Sequence, residues 1–274
     1  WWERARDLGR GLATLDPVLR ATLRRACVVL ATTEESRIRL ERLGAAPVMV
    51  EPQFALDDQQ LSHFARIPER IERPFRLISI ARLLSWKGIH LGLQAFARFI
   101  RHCPESEYWV VGSGPEEDRL KRLGRELGIA SRLRFWGHLP YTDVCSKLAA
   151  ADVLVSPDMH TSFGNICLES LAAGRPVICL DTSGQSLQVT EECGFKAPVA
   201  SLEQALQSMA DAMTALYRDP ARRMRMGMAA RARARQHFNW GQKAERMNAL
   251  YEEVCGGTRV APPPSLAQSG HPRS

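Results

Sequence analysis

From Arg76 onward the chain alternates short, mainly apolar runs with longer stretches in which apolar residues recur every three or four positions. The runs are Leu77 to Ala81, Tyr108 to Val111, Leu133 to Trp136, Val153 to Val155 and Val177 to Leu180. Interrupted only by Ser79 and Arg134, runs this short predict strands buried on both faces. Between them, Ile89, Leu93, Phe96 and Ile100 share one helical face, as do Leu120, Leu123 and Leu127, and two more helical segments lie near 142–150 and 165–173. Strands alternating with helices over short connections predict an α/β fold, a doubly wound, Rossmann-like parallel sheet with helices on both faces. Such sheets take ligands at the carboxyl ends of their strands.

Upstream, Asp16-Pro17 opens a basic helix to residue 26, residues 27–31 read as a strand, and Thr32 to Ser36 caps a helix that Gly44 ends before a short strand at 47–50. One such unit is too little for a free-standing domain. Residues 51–73 mix polar and charged positions without clear period and read as a linker. Downstream, three helices follow: one aligns Leu202, Leu206, Met209, Met213 and Leu216, one runs from Pro220 to about His237 with many arginines, and one aligns Trp240, Ala244, Met247, Leu250, Tyr251 and Val254. The Gly-, Pro- and Ser-rich end after Gly256 is expected to be disordered.

With 274 residues and 45% hydrophobic content the chain can bury a sizeable core. No apolar run approaches a membrane span, which predicts a soluble, cytoplasmic protein. Trp1-Trp2-Glu3-Arg4 carries neither an initiating Met nor a signal-peptide pattern, so the expectation is a piece of a longer protein. Seven cysteines without C-x-x-C spacing predict reduced structural thiols and no metal site. The net charge of +7 admits nucleic acid, an anionic membrane surface or anionic substrates, and does not choose among them.

Four stretches could carry chemistry. In Arg82-Leu83-Leu84-Ser85-Trp86-Lys87-Gly88, Ser85 suits a helix N-cap and Lys87 would fall in the first turn, where a cation opposes the helix dipole unless an anion sits there. Gly112-Ser113-Gly114-Pro115-Glu116-Glu117-Asp118 looks like a phosphate loop but lacks the third glycine, loses an N–H at Pro115 and places acids at the positive helix end, so it reads as a structural turn. Phe135-Trp136-Gly137-His138-Leu139-Pro140 follows another strand. In the fourth stretch, from Ser162 to Ile178, a helix is entered at Gly164 with no acid in its first turn, carries Glu169 about one turn further on, and is stopped by Gly174 before Pro176.

This last stretch resembles the donor-site helix of retaining, nucleotide-sugar-dependent glycosyltransferases of the GT-B architecture, the glycosyltransferase group 1 or family 4 type. Phe163, Gly164, Glu169, Gly174, Pro176 and Val177 match that family's pattern, while Thr161 stands where its first Glu is usual. The resemblance implies that Arg82 and Lys87 grip the donor diphosphate and stabilise charge on the leaving group. It places the base against Gly137, His138 and Leu139, and puts Thr161, Phe163, Gly164, Asn165, Leu168 and Glu169 at the nucleotide sugar. UDP- or GDP-linked sugar would be the substrate, with no cofactor and no metal, and the acceptor a carbohydrate or a lipid-linked molecule. Residues 1–50 would be the end of an acceptor-side domain, 51–73 the interdomain linker, 74–238 the donor-binding domain, 239–255 a helix crossing back, and 256–274 the tail. Asp158 and His160 lie close enough in sequence to compensate for Thr161. The arginines between Arg218 and Arg235 read as a solvated helix face, or else as a contact with the cytoplasmic face of an anionic membrane. A non-catalytic nucleotide-sugar-binding or scaffold module is the alternative. A nucleic-acid binder is disfavoured, because no aromatic-basic platform accompanies the run.

Overall fold

The computed structural model describes residues 16–70, 73–160, 164–182 and 184–256. The chain divides into two units, Trp1–Gln53 with Gln242–Ser274, and Phe54–Gly241.

The first unit opens with α1 (Pro17–Arg25), where Asp16 Oδ1 accepts the Val18 N–H at 2.8 Å and proline fills the first turn without losing a helical bond. Next come β1 (Val29–Ala31), α2 (Glu34–Arg42), capped by Thr33, and β2 (Val48–Val50), parallel to β1. Leu23, Ala31, Ala45 and Val48 form its small core.

In the second unit the expected linker is replaced in part by a helix, α3 (Asp58–Ala65). Asp57 and Gln60 form a reciprocal capping box, with the Gln60 N–H donating to Asp57 Oδ1 at 2.7 Å. Leu61 and Phe64 are buried from it. Two turns carry too few apolar residues to show a period. The Asp-x-x-Gln cap was the signal available in the sequence.

The sheet then builds from β3 (Phe75–Ile80), α4 (Ile89–Phe99), β4 (Ser106–Val111), α5 (Glu117–Glu126), β5 (Leu133–Gly137), α6 (Tyr141–Ala149), β6 (Val153–Ser156), α7 (Asn165–Ala172), β7 (Val177–Leu180), α8 (Gln185–Gln188) and β8 (Gly194–Ala197). Its strands are all parallel, in the order β5-β4-β3-β6-β7-β8. This is the doubly wound α/β sheet expected from the sequence, with one strand more, since Gly194-Phe195-Lys196-Ala197 is too short and mixed to read as a strand. Along β4 the side chains alternate between the two faces. Tyr108 and Val110 join a core with α4 and α9 (Leu202–Arg218), and Trp109 and Val111 join a core with α3, α7 and α10 (Pro220–His237). The strand order reverses between β3 and β6, so the crevice of the fold opens at their carboxyl ends.

The last helix, α11 (Trp240–Cys255), contributes its residues from Gln242 onward to the first unit. Within that unit Arg246 Nη2 lies 3.0 Å from Glu51 Oε1. The expected tail lies outside the described residues, apart from Gly256. Among the described residues no helix is long and apolar enough to cross a membrane.

Candidate functional site

The loops leaving β3 and β6 meet at the strand-order reversal. Beyond β3, Ser85–Lys87 forms a single 3-10 turn, and α4 starts only at Ile89 with Gly88 as its N-cap. Lys87 is therefore not in the first turn of that helix, as the sequence had suggested. Gly88 sits at φ +63°, and a Cβ there would lie 1.9 Å from the carbonyl oxygen of Pro157, in the loop after β6. Glycine alone lets the two loops approach this closely. The Met159 N–H also donates to the Trp86 carbonyl at 2.9 Å.

That approach brings Lys87 Nζ to 2.9 Å from Asp158 Oδ1. Asp158 is buried, and its Oδ2 accepts from Ser156 Oγ at 3.1 Å and from Gln185 Nε2 at 2.7 Å. Arg82, in the same loop as Lys87, is exposed and pairs with no carboxylate among the described residues. A cation and one fixed carboxylate thus meet at the mouth of the crevice, with Arg82 in the same loop as the cation, an arrangement suited to a polyanion.

The wall beside them is the turn after β4. The Leu83 N–H donates to the Ser113 carbonyl at 2.9 Å, and a Cβ on Gly112 would lie 1.9 Å from the Ala81 carbonyl oxygen. Gly112 and Gly114 serve close backbone packing, as the acids that follow them had suggested. At the end of β5 the Gly137 carbonyl accepts the Gly112 N–H at 2.7 Å, His138 is exposed, and Leu139 is half-buried against the core.

Gly164 precedes α7, with its carbonyl held by the buried Gln188 Nε2 at 3.1 Å. The first turn carries no acid, which leaves its N–H groups and the positive end of the helix dipole available, and Asn165 is exposed there. Leu168 is fully buried and its side chain packs into the core. Glu169 is 8% exposed, and its Oε1 accepts from the Tyr141 hydroxyl at 3.1 Å. Burial raises the Glu169 carboxyl above its ordinary range, and the Tyr141 hydrogen bond offsets part of that rise. Thr161 and Phe163 lie outside the described residues.

Other arginines cap helix ends, where orphan carbonyls and negative dipole ends gather. Arg175 Nη2 donates to Ala149 at the end of α6 at 2.7 Å, and Arg223 Nη1 to Leu216 near the end of α9 at 2.7 Å. Arg231 donates to Ala173 just past α7 at 3.2 Å, and Arg233 to both Leu187 and Gln188 in α8 at 2.7 Å. Asp152 is buried among them, 2.6 Å from Arg70 and 3.5 Å from Arg223. Burial lowers Arg175 to about 10, which leaves it charged at neutral pH. The arginine run is therefore not one solvated face. Arg223 and Arg233 point inward and Arg231 is half-buried, while Arg218, Arg222, Arg225 and Arg235 remain exposed. An alternation with Ala and Met could not reveal this, because the partners are carbonyls far away in sequence.

Sequence reasoning left Asp158 unplaced and missed Tyr141 and Gln185. Nothing local marks the last two, because their partners lie 28 and 27 residues away. Among the described residues no cluster of His, Cys, Asp or Glu could hold a metal ion. All seven cysteines are free, with Cys27 and Cys255 exposed and the other five buried.

Residues 63–233 match the family described as Glycosyl transferases group 1. A glycogen synthase of Mycobacterium tuberculosis (strain CDC 1551 / Oshkosh) is 31% identical over 194 residues, which cover 69% of this chain and 45% of that protein. A D-inositol 3-phosphate glycosyltransferase of Corynebacterium jeikeium (strain K411) is 30% identical over 243 residues, 83% of this chain and 57% of the relative. Among solved structures, Anabaena Alr3699/HepE in complex with UDP superposes with a TM-score of 0.68 at 21% identity, over 84% of this chain and 66% of that one. The chain thus spans about half the length of these two relatives.

Proposed function

The chain belongs to the group 1 glycosyl transferases, and from that premise we propose that it supplies the nucleotide-sugar site of a retaining, metal-independent transferase. The observation that carries this reading is the meeting of Lys87 and Asp158 at the crevice where the strand order reverses, with Arg82 in the same loop as Lys87 and Glu169 on a helix whose first turn carries no acid. When the nucleoside diphosphate departs, negative charge grows on its β-phosphate while the sugar takes on oxocarbenium character. Arg82 and Lys87 stabilise that growing charge, a fixed electrostatic contribution that needs no reorganisation at the moment of reaction. Glu169 accepts hydrogen bonds from ribose hydroxyls, and the backbone of Gly137, His138 and Leu139 receives the base. The first turn of α7, at Gly164 and Asn165, positions phosphate and sugar, together with Thr161 and Phe163. A UDP- or GDP-linked sugar is the donor, and a carbohydrate or lipid-linked molecule the acceptor.

Calorimetry on this chain with UDP, GDP and uridine tests the reading. The wild type is expected to bind one diphosphate well above the bare nucleoside. Arg82→Ala is expected to weaken that binding by about 1.5–3 kcal/mol, the scale of a hydrogen bond to a charged group, with uridine unchanged. A variant that binds the diphosphate as the wild type does removes Arg82 from the phosphate site.

A further inference from the structure

We propose that Asp158 is a positioning residue of the donor site: it holds the Lys87 ammonium in place and lowers the net positive charge that the diphosphate meets. The proposal rests on the donor-site reading above and deepens it. Asp158 is 4% exposed; its Oδ1 is ion-paired with Lys87 Nζ at 2.9 Å without a hydrogen bond, and its Oδ2 accepts from Ser156 at 3.1 Å and Gln185 at 2.7 Å. Gln185 is itself 1% exposed, and its Nε2 also lies 2.7 Å from Ser156 Oγ. The carboxylate is thus clamped by the end of β6 and by α8, while it reaches across to the turn that follows β3. A carboxylate so placed has one mobile partner, the four-carbon stem of Lys87, and fixes where its charge resides.

The charge balance follows. Arg82 and Lys87 alone would present +2 to a ligand, and with Asp158 they present +1. The carboxylate of Asp158 is spent on the lysine. The site is therefore tuned for moderate hold on the diphosphate, which favours release of the product.

Asp158→Asn keeps the shape and offers an amide oxygen to Ser156 and Gln185. It is expected to bind UDP about five- to tenfold more tightly at low salt, the effect of one unit of charge over several ångströms at the effective dielectric of a protein surface. The gain should shrink at high salt, and uridine binding should not change. With Lys87→Met as the background the same substitution should move UDP affinity by less than it does in the wild type, because Asp158 then has no ammonium to hold or to offset. Urea unfolding checks the fold, and if Asp158→Asn does not fold, Asp158→Ser is read in its place. Unchanged or weaker UDP binding overturns the proposal, as does an equal gain in the Lys87→Met background, which would mean that Asp158 acts on the ligand without Lys87. If the wild type binds neither UDP nor GDP, the donor-site reading falls and this inference with it. Normal wild-type binding with a silent Asp158→Asn sinks this inference alone.

Discussion

Replacing Gly88 by alanine tests whether the approach of the two loops builds the phosphate site. Two costs can be separated. Alanine at φ +63° pays about 1–2 kcal/mol for the left-handed conformation. Its Cβ would then stand 1.9 Å from the Pro157 carbonyl oxygen and 2.9 Å from the carbonyl carbon, so backbone must part by more than about 1 Å to restore van der Waals contact. Overpacking of this kind costs roughly 1–3 kcal/mol more. Gly128→Ala is the internal control, because Gly128 has φ +70° yet a Cβ there meets nothing within 4 Å. Gly128→Ala should therefore lose only the conformational part, about 1–2 kcal/mol, while Gly88→Ala should lose about 2–5 kcal/mol in urea unfolding. Against a typical domain stability of about 5–15 kcal/mol, urea unfolding shows which variant retains a folded baseline in which ligand binding is then measured. Parting the loops displaces the turn that carries Lys87 from the crevice, and calorimetry should show UDP weakened by about 1.5–3 kcal/mol in Gly88→Ala and unchanged in Gly128→Ala. If the two variants match in both stability and UDP affinity, the close contact with Pro157 does not shape the site.

Two further outcomes follow from buried charge. Asp152→Ala leaves Arg70 and Arg223 buried without their carboxylate and should cost about 3–5 kcal/mol in urea unfolding, with a loss under about 1 kcal/mol refuting the pairing. Glu169 titrates higher in the folded chain than in the unfolded one, so between the two values the folded state binds more protons and wild-type stability falls as pH rises through that window. Glu169→Gln lacks this dependence. Its stability relative to wild type should therefore increase from acid to neutral pH while it binds UDP less tightly, and a pH-independent difference in urea midpoints would exclude the buried carboxylate as the cause.

The sequence by itself determined the layered α/β sheet, because five apolar runs between amphipathic helices have only one way to bury both faces of their strands. It also determined the entry and stop of the Gly164 to Gly174 helix, since both depend on backbone freedom and capping that neighbours in sequence dictate. Short elements escaped it. α3 and β8 hold too few residues to show a period, and they form because the rest of the domain covers them. Only the tertiary structure decided which charges meet. Lys87 finds Asp158 across 71 residues, Tyr141 finds Glu169 across 28, and the arginines of α10 find carbonyls at the ends of α7, α8 and α9. The physical reason is that an ion pair or a carbonyl cap carries no pattern along the chain. Periodicity records the face on which a residue must be buried, whereas the partner of a buried charge is fixed only when strand order and loop approach bring it within about 3 Å.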